Sequence, residues 1–184
     1  MSVAVRPLTY DTLLDMPDDG NRYEIIGGEL FVTAAPAEPH QWASIRLVSN
    51  LHVHVDANGL GQVYHAPVDV RLGPHNIVQP DIIFIRRERR HLYQGSIFEG
   101  PPDLVVEIFS PSTRRRDETI KLALYARSGV REYWMVDTDA RSIIMFVLSQ
   151  DGGYQRVEPV GGTVRSTVVP GFEVDVNAFF AMMV

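Results

Sequence analysis

Hydrophobic and polar positions change period several times along the 184 residues, and each change marks an element. Thr9 can cap a short helix over 11–16, stopped by Pro17 and the Asp18-Asp19-Gly20 turn. Two β-type runs, 22–26 and 29–33, flank Gly27-Gly28 and predict a hairpin. From 39 to 57, Trp42, Ile45, Val48, Leu51 and Val55 recur at spacings of three and four. That spacing predicts an amphipathic helix with those five residues as its apolar stripe and Gly59 as its stop. Runs at 62–66, 68–72, 81–85 and 103–109 read as strands separated by Pro and Gly. The last two are nearly continuous apolar runs, as in strands buried on both faces. After Ser110-Pro111-Ser112 a second helix reaches about Ser128, closed by Gly129. Strands at 131–136 and 142–148 follow, then weaker ones near 154–158 and 164–168 and a helical turn at 178–182. This order predicts an α/β (α+β) fold, a mixed central sheet flanked by helices. No repeat or low-complexity linker divides the chain, so 1–184 reads as a single domain.

Composition narrows the chemistry more than the fold. With 45% hydrophobic and 22% charged residues, disordered and fibrous classes are excluded. No apolar run is long enough for a bilayer, and the first residues lack the basic and apolar regions of a secretory leader. The expectation is a cytoplasmic protein with no membrane partner. Zero cysteines exclude a disulfide partner, a thiolate zinc site and a cysteine nucleophile. The net charge of −6 argues against strong non-specific nucleic-acid binding. Sixteen of the 17 basic residues are arginine, and Lys121 is the one lysine.

Three acids interrupt apolar runs, where an unpaired ionised carboxylate is costly. Asp81 follows Pro80 and opens a strand, Glu107 lies inside 104–109, and Glu24 lies inside 23–26. Each has a plain alternative: turn residue or strand cap for Asp81, structural ion pair with a buried arginine for Glu107, solvent face of an edge hairpin for Glu24. If the strands carrying Asp81 and Glu107 are neighbours, both carboxylates can point at one spot. Convergent carboxylates without cysteine or a His pair suit a hard divalent ion, Mg²⁺ or Mn²⁺. Lys121 lies 14 residues after Glu107, on the helix that follows that strand, with Asp117 and Tyr125 one turn to either side. Packed over its own strand, that helix can bring the ammonium to the carboxylates; a surface pair with Asp117 is the alternative.

These residues resemble the Uma-two type of restriction endonucleases, within the PD-(D/E)XK nuclease superfamily. The resemblance rests on 23–30 (Tyr-Glu-Ile-Ile-Gly-Gly-Glu-Leu), on Val78-Gln79-Pro80-Asp81-Ile82 and on 102–113. It continues through 121–126 and 129–137 and covers roughly residues 8 to 180. It implies a restriction-endonuclease-like core, with Asp81 as the acid of the PD motif and Glu107 as the acid of the (D/E)XK motif. The position two after Glu107 is Phe109 rather than lysine, and the resemblance implies that Lys121 has taken that role from the helix. Glu24 matches a further acid that completes or orients the metal site, and His40 matches a frequent family position, though capping its helix or facing solvent suits it as well.

The reading that follows is metal-dependent hydrolysis of DNA phosphodiesters. Asp81 and Glu107, with the carbonyl of Ile108, hold Mg²⁺ (or Mn²⁺), Lys121 orients water or stabilises charge, and Glu24 binds a second ion or its water shell. Removing Lys121 is expected to stop cleavage and leave the fold intact. Arg86 and Arg87, in the run 86–90, and Arg114, Arg115 and Arg116 are candidate phosphate contacts, with solvated surface charge as the alternative. Exposed strand edges admit a homodimer that would set two sites on two strands. A catalytically silent DNA-binding or protein-interaction module is the alternative of another class, and hydrolysis of a different phosphate ester is a third. Tyr125, Tyr133 and Trp134 suit base stacking, but core packing fits their context better.

Overall fold

The computed structural model describes residues 6–110 and 112–183. The first five residues, where a leader was looked for, and Pro111 of the Ser-Pro-Ser break lie outside the described residues. Thr9 leads into α1 (Tyr10–Leu14), its N–H donating to Thr12 Oγ1 at 3.5 Å. The hairpin of β1 (Arg22–Ile26) and β2 (Glu29–Thr33) turns at Gly27 and Gly28, whose φ angles of 62° and 83° suit a residue without a Cβ. α2 (Glu38–Ala57) follows.

The middle of the chain carries β3 (Gly61–His65), β4 (Asp69–Gly73), β5 (Asn76–Val78) and β6 (Ile82–Arg86). A 3₁₀ turn over Arg87–Leu92 leads to β7 (Tyr93–Gln94), β8 (Ile97–Glu99) and β9 (Leu104–Ile108). Helical backbone then runs unbroken through α3 (Arg114–Arg116), a π-helical turn (Asp117–Lys121) and α4 (Leu122–Ser128), ending at Gly129 in the left-handed region. β10 (Glu132–Asp137), β11 (Ser142–Leu148), β12 (Tyr154–Val157), β13 (Thr163–Arg165), β14 (Glu173–Asp175) and α5 (Val176–Ala181) complete the described chain.

The expected mixed α+β layering is present, but the strands form two six-stranded sheets and a small ribbon rather than one central sheet. The first has the order β2-β1-β5-β4-β8-β7 and the second β12-β11-β10-β9-β6-β3, with β13-β14 apart. Patterning did not reveal β5, β7, β8 and β14, because two or three residues are too few to set a period.

In the second sheet β9 pairs parallel with β10 and antiparallel with β6. The register is Ile82 with Val106, Ile83 with Val105 and Phe84 with Leu104, so one further step sets Asp81 opposite Glu107. Alternation decides which face each residue takes. Ile82, Phe84, Leu104 and Val106 meet Ala43, Leu47, Leu51 and Val55 of α2 in one core. Ile83, Ile85 and Val105 meet Val70, Val78 and Phe98 of the first sheet and Leu124 and Tyr125 of α4 in the other. Glu107 shares the parity of Val105 and therefore faces α4.

One expectation is corrected here and another is met. The buried stripe of α2 is His40, Ala43, Leu47, Leu51 and Val55, while Ile45 is 66% exposed. The small and polar members of the true stripe carry little hydrophobic signal, and a three-residue spacing drifts around the helix away from it. Tyr125, Tyr133 and Trp134 are sealed in the core, with Trp134 Nε1 donating to Glu132 Oε1 at 2.7 Å. No base can stack on them. Among the described residues, no helix is long and apolar enough to cross a membrane.

Candidate active site

The two central carboxylates meet because of the strand register, and their partners come from three other elements. Asp81 enters β6 directly after Pro80. Its Oδ2 accepts the backbone N–H of Ile108 at 2.7 Å and faces His40 Nε2 of α2 at 3.1 Å. Its Oδ1 accepts Arg22 Nη1 from β1 at 2.5 Å. On β9, Glu107 Oε1 accepts both Lys121 Nζ at 2.8 Å and Tyr125 Oη at 2.6 Å. Glu24 of β1 completes the group: Oε1 accepts the Gln79 N–H and Lys121 Nζ, each at 2.8 Å, and Oε2 lies 3.4 Å from Arg116 Nη2. Asp81, Glu107, Glu24, Arg22, His40 and Lys121 line a cavity of about 210 Å³ that also takes in Asp117 and Ile108, while Tyr125 lies behind its wall.

Lys121 reaches the site from the π-helical turn. Its ammonium is shared by Glu24 and Glu107 and lies 3.8 Å from Asp117 Oδ1, with only 2% of the residue exposed. The surface pair with Asp117 is therefore excluded, and so is the expectation that its removal leaves the fold untouched, since the loss would strand buried carboxylates. Phe109, in the place of the motif's lysine, fills the core beside Leu124 and Tyr125, with the Arg114 guanidinium 4.7 Å above its ring.

The electrostatics divide the acids. Asp81 is held below the usual carboxylate range, because His40, Arg22 and the Ile108 N–H outweigh its burial. Glu107 is pushed up to about 8 by burial, with Asp117, Asp81 and Glu24 adding to it against Lys121. Asp117 is raised to about 6, again chiefly by burial. Neither oxygen of Asp117 has a hydrogen-bond partner within reach among the described residues, and the nearby Thr113 hydroxyl and Lys121 only partly oppose its burial. Lys121 is raised because Glu107, Glu24 and Asp117 more than offset its burial.

Stability should therefore depend on pH with a definite sign. Between the ordinary carboxylate values and pH 8 the folded protein retains protons on Glu107 and Asp117 that the unfolded chain has released. Stability is then greatest at the acidic end and falls as pH rises through about 6 and 8. The shifts at Asp81 and Lys121 act outside this window. Thermal melts in EDTA should show a loss of a few kcal/mol from pH 5.5 to 8.5, roughly 1.4 kcal/mol for each pH unit in which one extra proton is held. A divalent cation that binds the ionised site should flatten the slope. A melting temperature that rises over this range in EDTA would contradict the assignment.

The donor set fits a hard divalent ion: carboxylate oxygens converge from adjacent strands, and Asp117 contributes two unpartnered oxygens beside them. Among the described residues no three His, Cys, Asp or Glu side chains are already gathered as a cage, and arginine and histidine hold both oxygens of Asp81.

The arginine clusters separate. Arg86 and Arg87 lie at the far end of β6 from Asp81, five steps or about 17 Å along the strand. Arg86 and Arg89 face the sealed Asp103 carboxylate at 3.7 and 3.0 Å, whereas Arg87 and Arg90 are exposed. Arg114 pairs with Asp137 at 2.5 Å, Arg115 is exposed, and Arg116 lines the cavity and donates to Thr33 Oγ1 at 2.7 Å. Arg22 was not singled out from the sequence. Its signal was its position two residues before Glu24 on one strand, where side chains leave the same face.

The pattern of the Uma2 family, described as "Putative restriction endonuclease", matches residues 10–178. An uncharacterized protein of Synechocystis sp. is 24% identical over 135 residues, covering 72% of this chain and 70% of the relative. The fold is similar to the crystal structure of a "putative nuclease belonging to DUF820" from Anabaena variabilis. The TM-score is 0.80 and the identity 19%, over 95% of this chain and 98% of that one.

Proposed function

The chain belongs to the Uma2 family of restriction-endonuclease type, and from that membership we propose that it hydrolyses phosphodiester bonds of DNA as a Mg²⁺- or Mn²⁺-dependent endonuclease. The supporting observation is the meeting of Asp81 and Glu107, from adjacent strands, with Glu24 and the Lys121 ammonium in one cavity. Asp81, Glu107 and the Ile108 carbonyl would hold the ion, with Glu24 serving a second ion or its water shell. When bound, the ion supplies Lewis-acid polarisation of a phosphoryl oxygen and lowers the pKa of the attacking water.

The chain's own groups do the rest. Lys121, aimed by Glu24 and Glu107, orients the water and offsets negative charge as it grows in the transition state. The water oxygen bonds to phosphorus, one ester P–O bond breaks, and the leaving oxygen takes up a proton. Arg116, at the cavity wall, and the neighbouring Arg114 and Arg115 offer phosphate contacts, while Arg86 and Arg87 would meet a duplex only farther along. The proposal takes 1–184 as one nuclease-like domain of a cytoplasmic protein, and a homodimer would present two such sites to the two strands.

Supercoiled plasmid should be nicked in Mg²⁺ or Mn²⁺ and spared in excess EDTA. Plasmid that stays intact in every metal, with the protein folded by circular dichroism, would sink the proposal. One observation favours the catalytically silent module instead: both Asp81 oxygens are already engaged by protein donors. That reading expects no Mn²⁺ binding that depends on Asp81 and Glu107.

A further inference from the structure

Arg22 occupies an oxygen of Asp81, the acid that the metal-dependent reading assigns to the ion. One residue separates it from Glu24 on β1, so both side chains leave the same face of the strand and enter the acid cluster together. Its guanidinium meets Asp81 Oδ1 at 2.5 Å. Burial works against its charge, but Asp81, Glu107 and Glu24 together more than restore it. A carboxylate lone pair that receives a guanidinium N–H at this distance cannot also coordinate Mg²⁺ at roughly 2.0 to 2.1 Å.

Of the three donors on Asp81, only Arg22 is free to leave. The Ile108 N–H belongs to β9, and His40 is buried on α2. The Arg22 side chain is 22% exposed and sits on the boundary of two cavities. The second, of about 330 Å³, is lined by apolar Pro36, Ile45 and Val48 as well as by His40, Gln41 and His65, which gives a departing guanidinium room and side chains to pair with.

We propose that Arg22 is a tethered counter-cation that competes with the divalent ion for Asp81 Oδ1 and swings into the neighbouring cavity when the ion binds. The inference rests on the metal-dependent reading of the site. Without the ion, Arg22 keeps the buried Asp81 charge paired. The protein's apparent affinity for the ion is lowered by the fraction of time Arg22 is away. Once displaced, the fork of the guanidinium is free to meet a phosphate oxygen pair.

Calorimetry with Mn²⁺ on the intact protein tests this. Arg22→Gln should bind Mn²⁺ about tenfold more tightly than wild type, as expected if Arg22 leaves Asp81 competent about a tenth of the time. Adding Glu107→Gln to that variant should abolish the binding. A second measurement reads the wild-type protein directly. In the wild type, the Arg22 side-chain ¹⁵N resonance, assigned by its absence from Arg22→Gln, should move to a solvated position on titration with Mg²⁺. Glu107-dependent binding of equal strength in wild type and Arg22→Gln, or an Arg22 signal unmoved at saturating Mg²⁺, overturns this inference and leaves the metal-dependent reading standing. Absence of Mn²⁺ binding in both proteins overturns the two together.

Discussion

Glu107→Gln is expected to lower metal-supported plasmid cleavage by about three orders of magnitude while the protein melts no lower than wild type at pH 8.5. The two effects separate because of how Glu107 is held. Its side chain is 3% exposed, and its Oε1 accepts Lys121 and Tyr125. An amide oxygen can accept the same two hydrogen bonds. What the amide lacks is the charge, which burial and three nearby acids render unfavourable in the folded protein, so that the carboxyl group is pushed up to about 8. Removing it relieves that strain at alkaline pH and takes away the charge that the proposed mechanism asks Glu107 to offer a metal ion. A purely structural Glu107 would behave in the opposite way: the variant would melt lower, and cleavage would fall only as far as the folded fraction fell. Cleavage unchanged in a folded Glu107→Gln protein would remove Glu107 from the chemistry.

The sequence made the central strands and their acids readable because burial leaves a strong mark. A glutamate between Val106 and Ile108 in an otherwise apolar strand has few explanations, and the pairing of β6 with β9 turns two such residues into neighbours. The helix after β9 is equally plain from its break and its Gly129 stop, which leaves Lys121 two places, over Glu107 or at the surface beside Asp117. Other features carried no periodic trace. The division of the strands between two sheets depends on β5, β7 and β8, none longer than three residues. Arg22 stands among ordinary hairpin residues, and its contact with Asp81 spans 59 positions. Asp117 reads as a surface partner of Lys121 at helical spacing, yet it is buried with both oxygens unpartnered. Long-range pairings of charged residues depend on register and crossing that local patterns do not encode. The arginine run 86–90 shows the reverse error: a cluster in sequence is divided in space between the sealed Asp103 and solvent.

The second large effect is expected at Lys121, where chemistry and stability are joined. Its ammonium is the cation shared by Glu24 and Glu107, and Asp117 is close by. Removing one partner from a buried ionic group costs about 3 to 5 kcal/mol when the remaining charge cannot relax. Here it can relax at low pH, because Glu107 near 8 and Asp117 near 6 take up protons. Lys121→Met should therefore melt close to wild type at pH 5.5 and roughly 10 °C lower at pH 8.5, the shift that about 3 kcal/mol produces in a domain of this size. Cleavage should fall about 10²-fold or more even at a temperature where circular dichroism shows the variant folded, since the chain has no second lysine to take its place. Lys121→Arg separates the two roles. It restores much of the alkaline stability by returning a positive charge, but a planar fork in a seat built for a compact ammonium cannot orient water in the same way, so cleavage stays low. Full activity in Lys121→Arg would show that charge alone suffices there, and a Lys121→Met protein equally destabilised at both pH values would show that the neighbouring carboxylates do not take up the proton.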